Sequence, residues 1–242
     1  MAYDGSAVIQ VSAARRLAET IAAQTLASSP AVLEIGCGTG LLTEALRALL
    51  SPGPMLVTDV APAMVARCRA RCGEATDLRF AVMDGERPAA APGFDLIASS
   101  LTAQWFVDLP TALATLSGLL RPGGLLAVST LARGTFREWD AAHAGLGHAA
   151  STPSYPSLAE LAGLRFEGCT TRVTGCDLVE DHADGPSFLR SLRAIGAQTG
   201  RREGASLSAG ALRRVLRRFE AGGARVTYAT ATCLIRKRAD FT

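Results

Sequence analysis

Short apolar runs bounded by glycine, proline and aspartate alternate, through the first half of the chain, with stretches whose apolar residues recur every three or four positions. Residues 31–35 form the first such run, and 41–50 restore helical spacing through Leu42, Ala45, Leu46 and Leu49. The alternation then repeats, with strands expected at 55–58, 78–82, 94–99 and 125–131 and helices at 62–72 and 110–120. The fifth strand is entered through a turn at Arg121, Pro122, Gly123 and Gly124. Near-continuous apolar strands between amphipathic helices predict a parallel sheet covered on both faces. A helix over 7–26, ended by Ser28, Ser29 and Pro30, precedes the first strand.

Beyond Leu131 the rhythm changes. Helices are expected at 136–146, 158–164, 186–198 and 208–221, and strands at 171–179 and 225–236. In 208–221 the apolar Leu212, Val215, Leu216 and Phe219 fall at helical spacing, leaving Arg213, Arg214, Arg217 and Arg218 on the other faces. The expectation is one domain over 1–242, with an N-terminal lid helix in 1–28 and an inserted helical pair at 186–222.

Composition narrows this modestly. The 242 residues are 48% hydrophobic and 19% charged, a globular balance, and aromatics at 5% leave the core to Leu, Val, Ala and Ile. A formal charge of +3 gives no ground for a nucleic-acid partner. Only Lys237 among the cationic residues is a lysine, a bias that genomic composition explains. No run approaches the roughly 18 apolar residues of a membrane span, and no leader pattern opens the chain, so a cytoplasmic protein without a membrane partner is expected. The six cysteines are scattered, with only Cys68 and Cys72 sharing a helix face, so no metal site is expected and the thiols are read as reduced.

The chemistry-bearing motif is Glu34-Ile-Gly-Cys-Gly-Thr-Gly40, placed where the first strand turns into a helix. Glycines at 36, 38 and 40 let backbone approach a ligand, and the positive end of the following helix faces the same space. The spacing is G-x-G-x-G, unlike the pyrophosphate cradle G-x-G-x-x-G, and favours a ligand with an amino-acid moiety. Asp59 follows the second strand, where a carboxylate accepts from vicinal ribose hydroxyls, and Asp84 follows the third, beside Gly85.

These residues together resemble the class I S-adenosylmethionine-dependent methyltransferases, whose Rossmann-like α/β fold has a seven-stranded, mostly parallel sheet, here with an inserted helical cap. The resemblance implies Glu34, Gly36, Cys37, Gly38 and Gly40 around the methionine portion of the cofactor and Asp59 with Val60 at the ribose. It implies Asp84 at the adenine amine, Met64 and Met83 flanking the adenine, and Ser99 and Ser100 at the end of the fourth strand.

Methyl transfer is an in-line displacement that needs alignment and exclusion of water rather than a triad. A carboxylate acceptor, with a pKa near about 4, needs no general base. His143, His148 and His182 are each read as surface residues, which suits a base-free acceptor. Three segments extend the match: Ser99 to Trp105, Ser129 to Glu138, and Leu192 to Ala197. In this order they resemble the malonyl-acyl-carrier-protein O-methyltransferases, which open pimeloyl synthesis for biotin.

That resemblance implies an acyl carrier protein bearing malonyl-phosphopantetheine as partner, with malonyl-coenzyme A as a further candidate. Arg133, Arg137 and Arg193 are the candidate guanidiniums for the carboxylate, Trp105 the candidate wall of the transfer chamber, and Tyr3 the residue closing over it. Basic residues of the inserted helices, Arg190, Arg201, Arg202, Arg213, Arg214, Arg217 and Arg218, are candidates for steering an acidic carrier. The residues leave open a methyltransferase for another carboxylate or small molecule, a non-catalytic module of the same fold, and a dinucleotide oxidoreductase.

Overall fold

The computed structural model describes residues 8–194 and 207–239. Its elements run α1 (Val8–Ala22), β1 (Val32–Ile35), α2 (Leu41–Leu49), β2 (Met55–Asp59), α3 (Pro62–Cys72), β3 (Leu78–Val82) and β4 (Phe94–Ser100). They continue with α4 (Leu109–Gly118), β5 (Leu120–Leu131), α5 (Arg137–Ala144), α6 (Leu158–Gly163), β6 (Cys169–Asp181), α7 (Gly185–Ala194), α8 (Ala209–Ala221) and β7 (Arg225–Lys237). The sheet order is β3-β2-β1-β4-β5-β7-β6, and the pairings β3–β2, β2–β1, β1–β4 and β4–β5 are parallel. The expected seven-stranded, mostly parallel class I sheet is what the chain builds.

Both faces of the central strands are covered, which is why their sequences read as unbroken apolar runs. Val32, Leu96, Ala98, Leu125 and Ala127 face a cluster with Leu17 and Ile21 of α1, Leu42 and Leu46 of α2, and Cys68 of α3. Leu33, Ile35, Ile97, Leu126 and Val128 face a second cluster with Leu113 and Leu116 of α4. The edge strand β6 instead alternates half-buried and exposed residues for most of its length.

The fifth strand departs from expectation. It begins at Leu120, and the residues expected to form its entry turn stay within it as an irregularity: Phe94 pairs with Leu120, and Leu96 with Leu125. Gly123, at φ 79°, and Gly124, packed on backbone carbonyls, absorb the extra residues in the manner of a bulge. The helix expected at 186–198 is described to Ala194, and 195–198 lie outside the described residues.

By contacts the chain divides into two compact units. Among the described residues, one holds 8–9, 131–156, 176–194 and 207–230, and the other holds 10–130, 157–175 and 231–239. Within the first, α5 and α7 both pack on α8. Its core is aromatic: Trp139 lies edge-on to His143, Phe188 and Phe219, and Phe136 lies edge-on to Tyr228. Two histidines expected at the surface belong to this core. His143 is 5% exposed and its Nδ1 meets the Trp139 carbonyl, and His182 packs on the Phe188 ring.

Candidate functional site

The order β3-β2-β1-β4-β5 reverses its chain sense between β1 and β4, and in open α/β sheets ligands bind at the carboxyl ends of strands at such a switch point. The loop after β1 is built on positive φ. Gly36 sits at 69°, Gly38 at 51° and Gly40 at 92°. A Cβ on Gly36 would collide with the Thr102 side chain, whereas one on Gly38 would enter open space. Gly36 is therefore fixed by packing as well as by its backbone angle, and Gly38 by its positive φ alone.

Asp59, at the end of β2, is 9% exposed and shapes this loop directly. Its Oδ2 accepts from the Gly38 N–H at 2.9 Å, and its Oδ1 from the Ala61 N–H at 2.9 Å. Each oxygen keeps a further lone pair. Asp84, past β3, is exposed; its Oδ1 accepts from the Glu86 N–H. Val60, 69% exposed, stands beside Asp59, and Met83 is 8% exposed beside Asp84. Gly85 is pressed against Ile35 and the Phe106 ring, and Met64 is half-buried in the first turn of α3.

Glu34 lies beneath the loop, 1% exposed. Thr43 of α2 donates to its Oε2 at 2.7 Å, while Oε1 is buried without a partner among the described residues. Burial pushes the carboxyl up to about 8, against the lowering effect of the Thr43 hydrogen bond. Cys37 is buried in the same loop, its Sγ against the Gly38 carbonyl.

The far wall comes from β4. Ser99 is fully buried and donates to the Ile35 carbonyl, tying β4 to β1, and Ser100 accepts from the Ser129 hydroxyl of β5. Thr102 then reaches back to the Gly36 carbonyl at 3.2 Å. Sequence reasoning passed over Thr43, Thr102 and Gln104, because a single hydroxyl or amide carries no periodic signal. Trp105 ends the short 3₁₀ turn Ala103–Trp105 and is 53% exposed.

The arginine candidates belong to the other unit. Arg133 is exposed just past β5. Arg137 is half exposed; its Nη1 meets Asp177 at 2.8 Å and its Nε meets Glu138 at 3.4 Å, and the Asp177 hydrogen bond raises its pKa. Arg193 lies on α7, and Tyr3, Arg201 and Arg202 fall outside the described residues.

A methyltransferase-domain family profile matches residues 33–128, the stretch that carries this loop and its acidic partners. The chain is 46% identical over 227 residues to the biotin biosynthesis bifunctional protein BioCD of Bordetella avium, covering 93% of this chain and 48% of that protein. It is 39% identical over 229 residues to the malonyl-[acyl-carrier protein] O-methyltransferase of Magnetococcus marinus, covering 93% of this chain and 85% of that one. The chain belongs to the malonyl-[acyl-carrier protein] O-methyltransferase family. This methyltransferase thus spans about half the length of its bifunctional relative. Its fold is shared by the N-methyltransferase NodS of Bradyrhizobium japonicum in complex with S-adenosyl-L-homocysteine, at TM-score 0.52 and 18% identity, covering 95% and 86% of the two chains.

S-adenosylmethionine is the methyl donor of this fold class, and the residues present fit it. The methyltransferase has an open approach at Gly38, a buried acceptor oxygen on Glu34 without a partner among the described residues, and carboxylates with spare lone pairs after β2 and β3.

Proposed function

We propose that this methyltransferase O-methylates the free carboxylate of a malonyl thioester carried on acyl carrier protein, at the start of pimeloyl synthesis for biotin. The observation that carries the reading is the 39% identity over 93% of this chain and 85% of the Magnetococcus enzyme, which leaves little of either sequence unmatched. When bound, S-adenosylmethionine supplies a methyl group on a sulfonium; its transfer breaks the sulfur–carbon bond, forms the oxygen–carbon bond of an ester and removes both charges.

The chain's own residues bind, orient and shield. Gly36, Gly38 and Gly40 keep backbone close to the methionine end, and Glu34 and Cys37 lie beneath it. Asp59 with Val60 takes the ribose. Asp84 and Gly85 take the adenine amine, with Met64 and Met83 at the ring, and Ser99, bonded to β1, and Ser100, bonded to β5, line the end of β4. The acceptor carboxylate is already ionised at neutral pH, so no base is required, in keeping with the burial of His143 and His182 in an aromatic core. Arg133, Arg137 and Arg193 are the proposed candidates for the guanidinium that orients it, and Trp105 is the proposed apolar wall. Malonyl-coenzyme A carries the same reacting group and is expected to be a poorer substrate, lacking the protein surface.

Complementation tests the reading. The native chain should restore growth without biotin to a strain lacking its own malonyl-carrier methyltransferase, and Asp59→Ala should fail, since it removes both the ribose acceptor and the bond that shapes Gly38. No growth with the native chain, well expressed, would sink the proposal.

A further inference from the structure

Gln104 lies in the turn that follows β4, and its side-chain amide is half used. Nε2 donates to the Leu101 carbonyl at 2.7 Å, while Oε1 is buried and has no partner among the described residues. The orientation is fixed by chemistry, because the reverse would set two carbonyl oxygens against each other. A buried carbonyl without a donor is costly and marks a place where a donor arrives.

The bond that Gln104 does make clamps a strained corner. Leu101 has φ 49°, a conformation that side-chain-bearing residues rarely adopt. It is held from both ends: its N–H donates to the Ser129 carbonyl at 2.9 Å, and its carbonyl accepts from Gln104. The next residue is Thr102, whose hydroxyl donates to the Gly36 carbonyl. A continuous polar path therefore leads from the Gln104 amide through Leu101 and Thr102 to the cofactor loop.

Strand order then selects the donor. Asp84 ends β3 and Asp59 ends β2, on one side of β1, whereas Gln104 follows β4 on the other. With the adenine amine and the ribose hydroxyls assigned to those carboxylates, the remaining donor on the cofactor is the α-ammonium of its methionine end. The malonyl carboxylate and thioester bring acceptors only; the pantetheine amides are the rival donors.

We propose that Gln104 is a cofactor-binding residue whose free Oε1 accepts a hydrogen bond from the methionine ammonium, while its Nε2 holds the Leu101–Thr102 corner over Gly36. This rests on the S-adenosylmethionine reading of the loop. The test compares two ligands by calorimetry on the full chain: S-adenosylhomocysteine, which carries the ammonium, and 5′-methylthioadenosine, which lacks the amino-acid end.

Gln104→Met, similar in length and apolar, should weaken S-adenosylhomocysteine binding by about tenfold or more, the scale of a lost hydrogen bond to a charged group, and leave methylthioadenosine nearly unchanged. Gln104→Glu, which keeps an oxygen acceptor, should restore the preference for S-adenosylhomocysteine even where the clamp on Leu101 is weakened; thermal melts report folding of both variants. Equal losses for the two ligands would reduce Gln104 to a structural clamp and overturn the inference. So would unchanged binding of both with a raised KM for malonyl-carrier protein, which would assign the oxygen to a pantetheine amide. If the native chain binds neither ligand, the cofactor reading falls and this inference with it.

Discussion

Glu34 is a residue on which folding and ligand binding make opposite demands. Burial raises its carboxyl from an ordinary 4.5 to about 8, with Thr43 lowering it and Cys72 and Asp59 adding to the rise. Between those pH values the folded, ligand-free chain keeps a proton that the unfolded chain releases. Its stability should therefore fall as pH climbs from 4.5 towards 8, the loss levelling off above that. Glu34→Gln removes the ionisation while retaining an acceptor for Thr43. Urea melts at pH 5, 7 and 9 should show the variant drawing ahead of the native chain as pH rises; parallel profiles would contradict the account. At this scale the sequence was legible where chemistry sits in a motif. Glu34, Gly36, Gly38 and Asp59 lie together at the ends of β1 and β2, with Asp59 bonded to the Gly38 N–H, while Gln104 and Thr102 declare themselves only through what they touch.

Elements were legible wherever period and punctuation agreed. Pro62–Cys72 and Leu78–Val82 fall where proline, glycine and apolar spacing place them. The start of β5 did not, because Pro122, Gly123 and Gly124 read as a turn in isolation, and only pairing with β4 turns them into an irregularity of the strand. The amphipathic reading of α8 holds: Ala211, Val215 and Phe219 are buried, and Arg213, Arg214, Arg217 and Arg218 are exposed. An acidic carrier protein approaching this helix would be steered by that face. Reversing Arg213 and Arg217 to glutamate should raise KM for malonyl-carrier protein at least about threefold at low salt, narrowing as salt is added, since exposed charges are screened. Turnover of malonyl-coenzyme A should not change. An equal loss for both substrates would place the effect in the fold rather than in docking.

For the whole molecule, hydrophobic patterning gave the sheet its parallel core, while the aromatic packing of the first unit was hidden. Phe136 and Trp139 are neighbours in sequence, but Phe188, Phe219 and Tyr228 come from segments tens of residues away, and no local period links those segments. Among the described residues no helix is long and apolar enough to cross a membrane. The proposed function asks for a donor bearing a methionine end and an acceptor already charged. The most direct measurement is methyl transfer from labelled S-adenosylmethionine to malonyl-carrier protein beside acetyl-carrier protein, with the product read by mass spectrometry of the intact carrier. The account predicts a single methyl gain on the malonyl form, lost on mild ester hydrolysis, and none on the acetyl form, which lacks the free carboxylate. Methylation of both carriers, or of neither while another small acid is methylated, would contradict it.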